Sequence, residues 1–182
     1  MDRIIRTPDQ IRRKIEGWLI RHEQKEEEQF DGKEVFTLYS KLSTEILFKL
    51  ESVLELNTSE IPILVLSVEN DGFIVNTTDR FIRVFGSNTE SILYSDFDYH
   101  VGFTSISAKD SLNTKSESIK VEGLFQDFGI KTKSGKILYW ILPTGKPGFA
   151  FWNVTDKCEV IGRRFLINSL PSTGLPPGEF PS

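Results

Sequence analysis

Four polar residues that could take part in chemistry occupy alternate positions near the middle of the chain: Tyr94, Asp96, Asp98 and His100. Side chains alternate across a β-strand, so this spacing predicts that the four share one face. Carboxylate oxygens and imidazole nitrogens are ligands for divalent metals and also serve as general acids and bases. A strand with one solvated face shows the same alternation without any ligand. The pattern therefore indicates either a metal-dependent or acid–base enzyme site or, as we expect, a solvated face that binds no metal.

Other residues with catalytic potential lie in settings that do not favour catalysis. His22, the second of only two histidines, lies in a charged helical segment, so a centre with several histidines is excluded. Cys158 falls on an apolar helical stripe, whereas a catalytic thiol needs an electropositive, partly exposed setting. Segment 145–148 lacks the spacing of a phosphate-binding loop, and no Gly-x-Ser-x-Gly motif occurs. The sequence thus predicts a protein that is not an enzyme and has no cofactor.

Charged side chains form two predicted interaction surfaces. The first is an acidic surface for a protein partner, made of Glu26, Glu27, Glu28, Asp96 and Asp98. The second is an anion-binding site on a hairpin tip around Gly135, made of Lys131, Lys133 and Lys136. Runs of like charge also occur on solvated surfaces that bind nothing, and this alternative stays open for both sets.

Composition limits the class of protein. The chain has 182 residues and a formal net charge of −4, which suits one domain with appendages and disfavours nucleic-acid binding. An acidic chain permits a basic protein partner. The single cysteine excludes an intrachain disulfide. Neither a signal peptide nor an apolar run of about 18 residues is present, so we expect a soluble, cytoplasmic protein.

The N-terminal region, residues 1–57, is predicted to form two helices. The first begins at Thr7, which is followed by proline and, at the third helical position, by Gln10, as in a capping box. Its apolar face is Ile11, Ile15, Trp18 and Leu19. The second helix is predicted over 33–56 from an apolar stripe made of Phe36, Tyr39, Leu42, Ile46, Leu50 and Val53.

Residues 61–168 predict a β domain of about seven antiparallel strands closed by a C-terminal helix. The predicted strands are 61–68, 73–78, 80–85, 92–101 with a bent extension to 106, 118–122, 126–132 and 136–142. A hairpin turn is predicted at Asn70-Asp71-Gly72, and a surface loop over 108–117. The closing helix shows an apolar stripe made of Phe151, Val154, Cys158, Ile161 and Phe165. The proline- and glycine-rich tail, 170–182, is predicted to be disordered.

Two segments of this β domain carry a resemblance to a known family. Residues 72–82 contain the order Thr78-Asp79-Arg80 followed by apolar residues, and residues 92–97 contain Tyr94, Asp96 and Phe97 after a short turn. This pair of strands resembles bacterial pleckstrin-homology-like (PH-like) domains. The resemblance implies an α+β protein with a PH-like β roll. It also implies a binding module for phosphoinositides, peptides or protein surfaces, since fold alone does not give function.

These observations lead to one favoured function and one alternative. We expect a non-enzymatic cytoplasmic binding module that recognises a protein partner, in its most specific form an immunity protein that neutralises a cognate toxin. Small, acidic inhibitors without catalytic motifs act by occluding their target, which this chain would suit. The alternative is a PH-like domain that binds phosphoinositides or an anionic membrane surface through the three lysines.

Overall fold

A computed structural model describes residues 3–104 and 119–167 of the chain. It shows an α+β protein with two antiparallel sheets and a helical C-terminal segment. The described residues hold ten strands, eight of them within residues 61–168, for which the sequence predicts about seven. None of the described helices is long and apolar enough to cross a membrane. The predicted loop at 108–117 and the predicted tail at 170–182 lie outside the described residues.

The first helix, α1 (Pro8–Glu23), begins and packs as predicted. The hydroxyl of Thr7 accepts a hydrogen bond from the Gln10 N–H at 3.3 Å, and the Gln10 side chain accepts one from the Thr7 N–H at 3.1 Å. This reciprocal capping box satisfies two backbone donors at the helix start. The four residues of the predicted stripe are buried in the main hydrophobic core. The helix therefore covers the core and presents no apolar stripe to a partner.

The predicted second helix over 33–56 is wrong. A strand, β2 (Phe36–Leu38), occupies its first part and pairs antiparallel with β3 (Pro62–Val68). A helix, α2 (Thr44–Glu51), starts only where the Ser43 hydroxyl accepts a hydrogen bond from the Ile46 N–H at 3.4 Å. A fully buried strand followed by a short helix places apolar residues three or four positions apart, and this spacing imitates one long helix.

The first sheet has five strands in the order β2-β3-β4-β5-β6, completed by β4 (Gly72–Thr77), β5 (Arg80–Phe85) and β6 (Asn88–Leu93). The β3–β4 hairpin turns at Asn70 and Asp71, whose φ angles of 55° and 54° give the predicted tight turn. The main core covers one face of this sheet, and α2 with its neighbouring residues covers the other. As a result, β4 is buried at every position.

The second sheet has three strands, β7 (Phe97–Phe103), β8 (Phe125–Thr132) and β9 (Ile137–Pro143), in that order. The predicted continuous strand over 92–101 is wrong, because the chain turns at 94–96 and passes from one sheet to the other. The Asp96 N–H closes this turn on the Leu93 carbonyl at 3.0 Å. The predicted strand at 118–122 is also not formed at its described residues, 119–122, which lie in turns and a bend.

The C-terminal segment consists of α3 (Lys146–Thr155), α4 (Cys158–Arg164) and β10 (Phe165–Ile167). The strand β10 pairs in parallel with β1 (Ile4–Arg6), so the two ends of the described chain meet. The predicted apolar stripe is buried at Phe151, Val154, Cys158 and Ile161, whereas Phe165, predicted to belong to the helix, begins β10 and is half-buried. One predicted helix is therefore two, and both contribute to the main core.

A buried ion pair between Glu60 and Arg80 fastens the start of β3 to the start of β5. The guanidinium binds the carboxylate in a fork, with Nε–Oε1 at 2.9 Å and Nη2–Oε2 at 3.0 Å. The Thr77 hydroxyl and the Asn57 N–H donate to the same carboxylate at 2.6 and 3.1 Å. Burial alone would raise the pKa of Glu60, but these hydrogen bonds outweigh burial and lower it. The carboxylate is thus charged and fully satisfied.

We expect Glu60→Gln to lower the free energy of unfolding by about 2–3 kcal/mol, because it leaves the Arg80 guanidinium partly buried without its counterion. Urea unfolding followed by circular dichroism measures this change. The control is Glu159→Gln, which breaks the exposed pair between Glu159 and Arg163. That change should cost no more than about 0.5 kcal/mol. Equal losses for the two variants would contradict a structural role for the Glu60–Arg80 pair.

Candidate functional site

The four alternating residues of the predicted strand do not share a face. Tyr94 is 1% exposed and His100 is 4% exposed, whereas Asp96 is on the surface and Asp98 is half-buried. Tyr94 and Asp96 lie in the β6–β7 turn, and irregular pairing within β7 then shifts the alternation. The predicted solvated face is therefore wrong for Tyr94 and His100. In the part of the chain that the structure describes, no three His, Cys, Asp or Glu residues are grouped as metal ligands.

His100 is enclosed by aromatic rings and serves the core. The rings of Phe97, Phe128 and Phe151 lie 4.8 to 5.5 Å from its ring centre. Its Nε2 lies 2.8 Å from the Thr155 hydroxyl, which itself donates to the Phe151 carbonyl at 2.7 Å. Nε2 must therefore carry the proton and donate, which leaves Nδ1 as an acceptor with no hydrogen bond to a described residue. Burial lowers the pKa of His100 from 6.5 to about 3, so the ring is neutral near pH 7.

The predicted acidic and basic surfaces meet at one edge of the molecule. Lys131 lies 3.8 Å from the Asp98 carboxylate and donates to the Tyr99 hydroxyl at 3.3 Å. Lys133 donates to the Ser95 carbonyl at 2.6 Å through its ammonium group. Two of the three predicted lysines are thus engaged with the β6–β7 turn and with β7. Lys131 compensates the charge of Asp98, whereas Lys133 is held by a backbone carbonyl.

The other predicted acidic residues, Glu26 to Glu28, lie just after the end of α1. A short 3-10 helix spans Glu27–Gln29 there. All three are exposed, as is the nearby His22. Among the described residues, no hydrogen bond or ion pair joins Glu26 to Glu28 to Asp96 or Asp98. That these three residues form one contact surface with Asp96 and Asp98 stays a prediction.

The side of the three-stranded sheet that faces away from the core is apolar and open. We call this side of the sheet the outer face; its large apolar side chains are Tyr99, Val101, Phe125, Ile137, Tyr139 and Ile141. The pairing register places them together, because Ile137 lies opposite Lys131 and Lys131 lies opposite Tyr99. Tyr139, at the centre, is 51% exposed. Unlike the five-stranded sheet, this sheet has no described helix over its second face.

Gly129 lies at the centre of the outer face, directly opposite Tyr139. A Cβ atom at this position would lie 2.9 Å from Val101, 3.3 Å from Tyr139 and 3.4 Å from Ile137. The glycine therefore lets three apolar side chains close over the backbone of the middle strand. This surface is not among those predicted from the sequence, although β9 carries a signal: its residues are apolar on both sides of the strand, as expected for a strand with two apolar faces.

A cleft of about 660 Å³ lies between the 56–60 loop, the β4–β5 turn, the β6–β7 turn and the α4–β10 segment. We call it the Asp79 cleft; Arg3, Asp79, Tyr94 and Phe165 are among the residues that line it. A Cβ atom on Gly162 would lie 1.8 Å from the Tyr94 carbonyl oxygen, so only glycine lets α4 approach the β6–β7 turn this closely. The volume falls within the range of small-molecule sites.

Because His100 is buried in its neutral form, we expect acid to destabilise the fold through this residue. Between pH 6.5 and about 3 the unfolded chain binds a proton at His100 that the folded chain excludes. Stability therefore falls with decreasing pH by up to about 1.4 kcal/mol per pH unit. Urea unfolding between pH 4 and pH 7 should give a shallower pH dependence for His100→Phe and His100→Gln. His22→Gln, at an exposed histidine, is the control, and a slope unchanged in both His100 variants would contradict the assignment.

Comparison of the chain with protein-family models, with curated proteins and with solved structures gives no match. The function must therefore be argued from geometry. The two features of the structure that invite a ligand are the open outer face and the Asp79 cleft.

Proposed function

We propose that this protein is a binding module that recognises a protein partner through the outer face of its three-stranded sheet. The observation that carries the proposal is the grouping of large apolar side chains, five of them more than a third exposed, on one sheet surface. Large contiguous apolar patches are rare on the surfaces of monomeric proteins, and such patches rimmed by polar groups mark interaction sites. The proposal includes that the module is not an enzyme.

The composition of the outer face suits a protein partner. Two tyrosines contribute large apolar area together with a hydroxyl that can hydrogen-bond, which is why tyrosine is enriched at interfaces. On the middle strand of this face, Lys131 and Asp127 flank the central Gly129; Lys131 lies 3.8 Å from the Asp98 carboxylate, and Asp127 lies opposite Ile141 without an ion pair to any described residue. A polar rim around an apolar centre is the usual anatomy of an interface. The formal net charge of −4 favours a basic partner over a second copy of this chain.

The proposal also includes that the fold is a PH-like roll. It is supported by the order of the elements: four consecutive antiparallel strands, β3 to β6, precede the three-stranded sheet and the C-terminal helices. In this interpretation β1, β2 and α1 are additions to a PH-like roll. The fold would supply a scaffold, and the outer face would supply the function.

The most specific form of the proposal is an immunity protein that neutralises a basic toxin by occlusion. Its support is the acidic net charge together with an apolar contact surface that needs no catalytic residues. Co-expression of the chain with a toxin encoded beside it tests this form directly. Survival of the cells would support it, and death at full expression of both proteins would contradict it.

Binding to phosphoinositides or to an anionic membrane has less support. Lys131 is held by Tyr99 and Asp98, and Lys133 is held by the Ser95 carbonyl. An anion would have to displace these contacts and approach Asp96 and Asp98. This mixed charge favours the protein-binding proposal over attachment to lipid.

We expect Tyr139→Glu to weaken partner binding by about ten- to a hundredfold, because it places a charge at the centre of a desolvated contact. A partner that the tagged chain captures from cell lysate would be identified by mass spectrometry and purified. It would then be titrated against each variant by calorimetry. Phe48→Glu is the control, since Phe48 is 76% exposed on α2 and lies off the outer face. The thermal stability of both variants should match that of the parent chain.

Equal affinities of the parent chain and Tyr139→Glu for the purified partner would contradict the proposal. A chain that forms a dimer by light scattering, and loses it on Tyr139→Glu, would also contradict it. In that case the outer face would be covered by a second copy.

A further inference from the structure

The Asp79 cleft is a separate feature, since it shares no residue with the outer face. One wall, the 56–60 loop, is held in shape because Glu60 binds back to Asn57 through both its N–H and its carboxylate. The opposite wall is Phe165, whose ring lies 5.7 Å from the Arg6 guanidinium. The walls are therefore fixed by contacts that do not involve a ligand.

The two acidic side chains that line this cleft, Glu60 and Asp79, differ in their hydrogen-bond partners. The Glu60 carboxylate accepts hydrogen bonds from Arg80, Thr77 and Asn57. Asp79 uses its backbone N–H and carbonyl in hydrogen bonds to Thr77 and Tyr94. Its half-buried carboxylate forms no hydrogen bond or ion pair with any residue that the structure describes.

An unpaired, half-buried carboxylate destabilises the free protein. Burial raises the pKa of Asp79, and the nearby Glu60 carboxylate raises it further, against the opposing effect of Arg80. A protein gains nothing structurally from a charge in this position, because the backbone groups of Asp79 make the turn without it. Groups that break local rules without structural compensation are concentrated at binding sites.

We propose that the Asp79 cleft binds an ammonium or guanidinium group, which pairs with the Asp79 carboxylate. A cation seated there would satisfy the one unpaired carboxylate of the cleft and would offset its repulsion from Glu60. The cleft, at about 660 Å³, has room for the remainder of a ligand of amino-acid or dipeptide size.

Arg3 distinguishes two sources of such a cation. It lines the same cleft and forms no ion pair with any other described residue. A free amino acid would place its carboxylate near Arg3 and its cation on Asp79. A basic side chain of a protein would use Asp79 alone. Both sources share the same cationic chemistry at Asp79.

The test is a titration of the full ¹⁵N-labelled chain, followed by NMR, at constant ionic strength. The probes are L-arginine, agmatine, which lacks the carboxylate, and an arginine tripeptide with blocked ends. We expect dissociation constants on the order of 1 mM, with shifts confined to the cleft, including Asp79, Ser95 and Gly162. Tighter binding of L-arginine than of agmatine would mark a free amino acid; equal or tighter binding of the tripeptide would mark a protein side chain.

The decisive variant is Asp79→Asn, which keeps the shape of the side chain and removes its charge. It should weaken binding of every probe at least about tenfold and leave the thermal stability of the free protein equal or higher. Asp71→Asn, at an exposed carboxylate in the β3–β4 turn, is the matched control and should bind as the parent chain does. Unchanged binding to Asp79→Asn, or no shift at the cleft with any probe, would overturn the inference without bearing on the outer face.

Discussion

The ion pair between Glu60 and Arg80 is the constraint on which the rest of the structure depends. Arg80 also donates to the Glu55 carbonyl and to the Ser91 hydroxyl, so one guanidinium joins the loop before β3, the start of β5 and the middle of β6. Slipping β5 by one residue would turn Arg80 to the other face of the sheet and break all of these contacts. The pair therefore selects one register for the five-stranded sheet and fixes one wall of the Asp79 cleft.

His100 fixes the relative arrangement of several elements at the centre of the core. Its ring contacts Phe81 of β5, Phe128 of β8 and Phe151 of α3, so both sheets and a C-terminal helix meet around one imidazole. Apolar contacts are non-directional, whereas the hydrogen bond to Thr155 fixes how α3 is seated on β7. The core thus combines close aromatic packing with an oriented polar contact at His100, and burial keeps the imidazole neutral near pH 7.

Local chemistry made part of this structure predictable from sequence. The capping box at Thr7 and the Asn70-Asp71 turn are encoded within a few residues, and both form as predicted. The failures concern pairing between distant segments. The apolar spacing of β2 and α2 matches that of one helix, and the Ser43 N-cap is a local sign that a helix begins within this segment. Nothing local shows that the chain changes sheets at residues 94–96. The candidate sites were missed for the same reason, since the lack of a partner for Asp79 becomes visible only once Glu60 is seen to hold Arg80.

The contrast between the two sheets indicates what the outer face is for. Domains are stable when each apolar sheet face is covered by another layer. The five-stranded sheet obeys this rule on both sides, with α2 supplying the second layer. The outer face of the three-stranded sheet also requires a covering layer, because Ile137, Tyr139 and Ile141 face outward. No described element supplies that layer. Gly129 even draws these side chains into one continuous surface. A partner that binds here would therefore supply the layer that α2 supplies to the other sheet.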